Sequence, residues 1–333
     1  MTTADGRRHV GRRQFLGLAS STVALAAVRP AWSEGYPNRA VRIIVPFQPG
    51  GSVDILGRIL IQKLSDSLGG QFYVENIPSG ASNVASATGA KSPPDGSTIL
   101  FVTSSFVINP SFYRKIQYDP IKDFTPITLT AVSPHVLSVN LDLPVRNVKD
   151  VIALVKANPG KFSYASAGTG QSAHLAAELF KLAYGLDIVH VPFNGGAPAM
   201  ASIIGGHTQM GFNALPSAAP FIKDGMVRAL AMTSRKRDPA FPDVPTFTEE
   251  GIPNQESSFF IGLVAPAGTP RSIVDLLNRE VRRIIGMQDV RDALILNGYT
   301  AETDTPEEFA AMIRSEIELW AKVIHDSKMQ KVE

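Results

Sequence analysis

Along residues 41–47, VRIIVPF, nearly every position is apolar; then Ile55, Leu56, Ile59, Leu60 and Leu64 recur at helical spacing until Gly69-Gly70. The first pattern predicts a strand buried on both faces, the second an amphipathic helix. The alternation repeats. QFYVEN (71–76) reads as a strand, a small-residue helix runs from about Gly80 to Lys91, Pro93-Pro94-Asp95-Gly96 makes a turn, and STILFVTSS (97–105) is a third strand. FSYASAG (162–168) passes through GTGQ into the helix SAHLAAELFKLAYG, and IVHVPF (188–193) passes through NGG into the helix APAMASIIG. TQMGF and VRALAMTS read as further strands. The C-terminal PEEFAAMIRSEIELWAKVI sets Phe309, Ile313, Ile317, Trp320 and Ile324 on one face, a docking or core face. Strands alternating with helices predict an α/β protein whose parallel sheets are covered on both faces.

The chain opens differently. Arg7, Arg8, Arg12 and Arg13 precede the apolar run Leu16–Val28 and then Ala31-Trp32-Ser33, the layout of an export signal over residues 1–33. Arg12-Arg13-Gln14-Phe15-Leu16 resembles the twin-arginine signal, which carries folded proteins across a membrane. The apolar run is too short to span a bilayer comfortably, and no later stretch is long and uncharged enough. The expectation is a soluble periplasmic protein with its signal removed. Removing five arginines and one aspartate with the signal turns 32 basic and 30 acidic residues into 27 and 29, a net charge of −2. The basic residues are neither in excess nor clustered, which argues against a nucleic-acid partner. With no cysteine there is no disulfide framework and no thiolate metal site. The histidines at 135, 174, 190, 207 and 325 show no paired ligand spacing, so neither metal nor other cofactor is expected. Burial must hold the chain together, and its length suffices for two domains of ordinary size.

In open α/β sheets, ligands sit beyond the carboxyl ends of the strands, where the chain turns into the next helix. Three such turns are rich in glycine and small polar residues: QPGGS (48–52), GTGQS (168–172) and NGGA (194–197). Glycine lets backbone N–H groups approach a guest, and the helix start adds partial positive charge. Each turn is a candidate anion cradle. Each is also explained as a tight turn with Ser52 and Ser172 as N-caps and Pro198 in a first helical turn.

Sharper motifs fit less well. Gly168-Thr169-Gly170-Gln171-Ser172-Ala173 matches G-x-G-x-x-A, but the acid that a dinucleotide site needs, Asp187, precedes the next strand and lies at its wrong end. Tyr164-Ala165-Ser166-Ala167-Gly168 resembles a nucleophile elbow, with Ser166 as nucleophile and His190 as base. That serine-hydrolase alternative lacks the first glycine, and GTGQ separates the serine from its helix. Gly89-Ala90-Lys91-Ser92 misses the phosphate loop. His190, inside a strand pattern, reads as a hydrogen-bonded core residue. His174, behind GTGQS, is placed either to reach a guest or to brace the loop.

PFQPGGSVDILGR, INPSFYRKIQYDPIKDFTPI, ANPGKFSYASAGTGQSAHLAAELF, VHVPFNGGAPAMASIIGG and the stretch from LAMTSRKRDPAFPDVPTFTEEGIP to LVAPAGTP together resemble the Bug family, extracytoplasmic solute receptors of tripartite tricarboxylate transporters. The likeness covers essentially all of the chain after the signal. It implies a two-lobed, type II periplasmic-binding-protein fold, each lobe a mostly parallel sheet flanked by helices. One lobe would hold 34–134 plus 255–333 and the other 135–254. It implies a monomer without enzymatic activity that captures a small carboxylate, such as a di- or tricarboxylate, an acidic amino acid or an aromatic acid, either for uptake through membrane transporter subunits or for sensing. Phe47, Gly50, Gly51, Ser52 and Asp54 would form the first cradle, with Ser104, Ser105 and Asn109 nearby. Thr169, Gly170, Gln171 and His174, then Phe193, Asn194, Gly195 and Gly196, would face them, with Asn213 in the same pocket.

A carboxylate accepts several charge-assisted N–H bonds, so such turns can retain it without an arginine. Asp54 sits awkwardly beside an anion, and we assign it to bracing the first helix or to a donor-rich ligand. The chain departs from the family at ENIPSGASN (75–83), where ENRPGAGG is usual, and at Phe193-Asn194, where Tyr-Lys is frequent; an Asp is also common near Asn213. Without those charges the pocket suits a carboxylate with an uncharged body, including an aromatic one.

Overall fold

The computed structural model describes residues 1–3, 35–49, 52–78, 82–193 and 195–332. Beyond its first three residues, the expected export signal therefore lies outside the described residues. The chain alternates through β1 (Val41–Val45), α1 (Ser52–Leu68), β2 (Phe72–Asn76), α2 (Asn83–Ala90), β3 (Thr98–Thr103) and α3 (Ser104–Phe112). A long β4 (Phe124–Val139) leads to α4 (Val148–Ala157), β5 (Ser163–Ser166), α5 (Ser172–Tyr184), β6 (Val189–Pro192), α6 (Gly196–Ile204), β7 (Met210–Ala214), α7 (Leu215–Lys223) and β8 (Arg228–Met232). The chain returns through β9 (Ser258–Pro266) and finishes with α8 (Arg271–Ile285), α9 (Gln288–Leu296), β10 (Thr300–Ala301) and α10 (Pro306–Asp326).

The alternation of periods produced the predicted α/β architecture. The strands run in the order β2-β1-β3-β9-β4-β7-β5-β6, with β10 and β8 also pairing β4. β1 is parallel to β2 and β3, and β5 is parallel to β6 and β7. Between these two parallel groups, β9 and β4 run antiparallel to their neighbours. β4 pairs with β9 from Phe124 to Pro134 and with β7 from His135 to Val139, so one strand serves both groups.

The apolar interior follows the same division. Around β1 and β3, Ile43, Phe101 and Ile261 pack with Leu56 and Leu60 of α1 and with Val274 and Leu277 of α8. On the other side of those strands, Phe106 and Phe112 of α3 and Phe309 and Trp320 of α10 pack with Phe260 of β9. Around β5 and β7, Tyr164, Phe180, Phe212 and Phe247 form one cluster, and Val136, Met200, Ile203 and Leu215 another. The α10 stripe is buried as its spacing predicts, except that Ile317 is only half-buried. Its start is fixed by a capping box in which Thr305 and Glu308 bond each other's backbone N–H.

Two element limits differ from expectation. Ser104 and Ser105, assigned to the strand STILFVTSS, open α3 instead. The Ser104 hydroxyl donates to the Ser258 carbonyl (3.2 Å) and accepts from Phe260 N–H (3.1 Å), so a side chain joins β9 to the start of this helix. The helix expected from about Gly80 begins at Asn83; residues 79–81 lie outside the described residues.

Candidate functional site

The first turn, β1 to α1, is held by a carboxylate. Asp54 is 2% exposed and accepts from Arg58 Nε (2.8 Å), Arg58 Nη2 (3.2 Å) and Asn76 Nδ2 (2.9 Å). Asn76 Nδ2 also donates to the Phe47 carbonyl (3.0 Å), which ties the end of β2 to the turn. Of the two roles expected of Asp54, this geometry is bracing. Gly50 and Gly51 lie outside the described residues; Ser52 opens α1.

At the end of β3, Ser105 Oγ pairs with Thr103 Oγ1 (3.0 Å) and Ser82 Oγ (3.4 Å), and Asn109 Nδ2 donates to Asn83 Oδ1 (2.8 Å) and Tyr118 Oη (3.3 Å). Hydroxyls and amides from the starts of α2 and α3 are thus interlocked.

The second group of turns gathers around β5. Phe193 N–H donates to the Ser166 carbonyl and Gly195 N–H to the Ala167 carbonyl, both at 3.0 Å, so the turns after β5 and β6 lie side by side. Gly195 has φ of +117°, a conformation that favours glycine, and Gly196 packs against Ser217 of α7. Asn194 lies outside the described residues. Thr169 is exposed and Gln171 half-buried. Gln171, not Ser172, is the N-cap of α5; Ser172 is its first helical residue, and its hydroxyl meets His135 Nε2 at 3.0 Å instead of capping.

Gly170 brings the two groups together. It has φ of +77°, and a Cβ built there would overlap the ring of Phe112 from α3. The turn after β5 therefore lies against the helix that carries Ser104, Ser105 and Asn109.

Behind this turn stands a stack of rings. His174 and His190 are 3.8 Å apart with planes 10° from parallel, and Tyr164 stacks on His190 at 4.8 Å. Gly170 N–H donates to His174 Nδ1 (3.0 Å), which places the neutral ring's proton on Nε2, 4.0 Å from Glu178 Oε1. Glu178 accepts from Tyr164 Oη and Lys181 Nζ, each at 2.7 Å. Burial, reinforced by His190 and Lys181, lowers the His174 pKa to about 3. Burial likewise lowers His190 to about 4. Both rings are neutral at pH 7, so the His174–Glu178 approach is no ion pair.

Ser166 Oγ lies 2.7 Å from His190 Nε2, the spacing of a nucleophile and its base. Yet Ser166 is fully buried, accepts from Gly168 N–H (3.3 Å), and no hydrogen-bonded carboxylate orients His190 among the described residues. A nucleophile must reach its substrate, and this hydroxyl is part of the loop's own bonding. The hydrolase alternative is not supported.

At the carboxyl end of β7, Asn213 is 1% exposed, and neither Nδ2 nor Oδ1 has a hydrogen-bond partner. β7 lies beside β5, with Gly211 opposite Ala165, so this amide belongs to the same cluster of strand ends as Ser166 and the Gly168 turn. Among the described residues no group of three or more His, Asp or Glu side chains could hold a metal, and no helix is long and apolar enough to cross a membrane. A separate groove of about 640 Å³, lined by Leu141, Asp142, Arg146, Asp150, Leu154 and Arg228 among others, shares no residue with these turns.

Residues 56–329 match the model of the tripartite tricarboxylate transporter family receptor. The chain belongs to that family. A Pseudomonas sp. relative encoded in the tcbD–tcbE intergenic region is 36% identical over 322 residues, covering 96% of each chain. Among solved structures, the receptor-family chain is similar to R. palustris Rpa4515 with adipate, at 34% identity and a TM-score of 0.77, over 88% of this chain and 98% of that one. It is also similar to MatC from Rhodopseudomonas palustris with bound malate, at 29% identity and a TM-score of 0.74, over 87% and 100%. A further neighbour, at 30% identity and a TM-score of 0.74, is the periplasmic binding protein BugD. The family receptor's fold is thus the two-lobed periplasmic-binding-protein fold that the motifs implied.

Proposed function

We propose that this chain is an extracytoplasmic receptor that holds a small carboxylate between two lobes, residues 34–134 with 255–333 and residues 135–254, and presents it to membrane transporter subunits. The observation that carries the reading is the buried, unpartnered amide of Asn213 beside turns lined with glycine. Leaving a buried polar group unpaired costs about 1–3 kcal/mol, an expense that a guest's hydrogen bonds remove. Adipate and malate in two similar structures support a carboxylate as that guest.

The body of the ligand follows from charge. An amino acid's ammonium needs an acid, and Asp54 at the first turn is already engaged by Arg58 and Asn76. With Asn at 194 and 213, the pocket suits a mono- or dicarboxylate with an uncharged body, aromatic acids included. No catalytic role is assigned to Ser166. A thermal-shift and calorimetric panel of dicarboxylates, aromatic acids and amino acids tests this, since a ligand that binds the folded state raises apparent stability. Stabilisation by an uncharged-body carboxylate is expected; stabilisation by aspartate or glutamate alone overturns the ligand class, and no response to any carboxylate overturns the function.

A further inference from the structure

His135 stands where β4 changes partners. Pro134 pairs with Ser258 of β9, and His135 with Ala214 of β7. The backbone there is clasped by Thr233: His135 N–H donates to Thr233 Oγ1 (2.9 Å), and Thr233 N–H donates to the His135 carbonyl (2.9 Å). Thr233 Oγ1 also donates to the Ser257 carbonyl (2.6 Å), so the outgoing and returning segments are joined at one level.

The ring adds a third element. His135 is fully buried; Nδ1 meets Ser257 Oγ at 3.1 Å and Nε2 meets Ser172 Oγ at 3.0 Å. A neutral imidazole offers one donor and one acceptor, and a rotating hydroxyl can complement either, so both bonds form in either tautomer. Ser257 precedes β9, whereas Ser172 opens α5, directly behind the turn that carries Thr169, Gly170 and Gln171. One turn further along α5, Leu175 is buried among Phe106, Phe112, Phe260 and Phe309, a cluster whose other members come from the opposite group of strands and helices. The start of α5 is therefore fixed on one side by packing and on the other by the ring.

We propose that His135 is a positioning residue for ligand capture: it fastens the start of α5, and with it the Gly168–Gln171 turn, to the returning segment at Ser257. The inference rests on the two-lobed reading above. In that setting, bending at the crossover shifts the second cradle through side-chain bonds as well as through its own strand.

Amide hydrogen exchange on the ligand-free protein provides the test. Gly170 N–H is bonded to His174 Nδ1 and Leu175 N–H to the Gln171 carbonyl, so both report the setting of this turn. Ser257→Ala cuts the far end of the link. It is expected to speed exchange at Gly170 and Leu175 about tenfold, the effect of losing roughly one buried hydrogen bond, while β7 amides stay unchanged. Ser172→Ala is expected to match it, the double variant to add nothing further, and Ser257→Thr to retain the wild-type pattern. Faster exchange confined to residues 255–259, or fully additive effects of the two alanine variants, overturns the proposal. His135→Phe, which cuts both ends, is the second variant and should reproduce the double variant's pattern. Because no ligand is present, a failed carboxylate panel and a failed exchange test remain distinguishable.

Discussion

Gly170 donates its backbone N–H to Nδ1 of His174, 3.0 Å away, and so requires that nitrogen to be unprotonated. The buried ring's pKa of about 3 agrees with this, against 6.5 in an unperturbed chain. His135, at about 4 through burial, behaves alike. The unfolded chain takes up protons that the folded chain refuses, so this contribution to stability is complete above pH 6.5 and is lost as pH falls towards 3–4. Urea unfolding of the wild type and His174→Gln between pH 7 and 4.5 checks it. The variant's loss of stability with acid should be shallower by up to about 1.4 kcal/mol per pH unit. Carboxylate contributions common to both proteins cancel in the difference.

Gly170 also carries a steric requirement. Gly170→Ala is expected to cost about 2–4 kcal/mol, from the left-handed backbone and the overlap with Phe112. Phe112→Leu in the same chain should recover part of that cost. Chemical denaturation of the two single variants and the double variant measures the non-additivity.

For Asn213, an apolar side chain of similar volume separates folding from binding. Asn213→Leu is expected to leave stability unchanged or raise it by about 1 kcal/mol, because an unpaired buried amide disappears. Affinity for the carboxylate found in the panel should fall at least about tenfold, equivalent to roughly 1.4 kcal/mol. Calorimetry and thermal unfolding on the same samples provide both readouts.

Ser166→Ala tests the remaining enzymatic reading. Losing the bond to His190 should cost about 1 kcal/mol of stability. Carboxylate affinity should stay within about twofold, and any trace of ester hydrolysis should be equal in both proteins. A selective loss of hydrolysis would restore the nucleophile.

Much of this architecture was legible where periodicity is local. The switch from VRIIV to the helical spacing of Ile55–Leu64 marks β1 and α1, and α10 announces itself through its apolar stripe. Less legible was β4, because Pro126 and Pro134 interrupt it; register shifts near Pro126 and the change of partners at Pro134 accommodate them. Neither glycine nor proline separates β3 from α3, so nothing local told the strand to stop before Ser104. Among the candidate site residues, the turn at Gly168 and Gly170 and the start of α6 at Gly195-Gly196 were readable from glycine, and the brace around Asp54 was one of two roles its charge allowed. His135 has no ligand spacing to mark it in the sequence. Its partners Ser172 and Ser257 lie 37 and 122 residues away, and no pattern in a single sequence relates them.

The sharing of β4 has a consequence for how the molecule comes apart. Phe124–Val139 contributes one stretch to the ladder with β9 and the next to those with β7 and β8. If either group of strands melts, the other loses a member of its own sheet, so heat should meet one cooperative transition and no long-lived half-folded species with an open edge for aggregation.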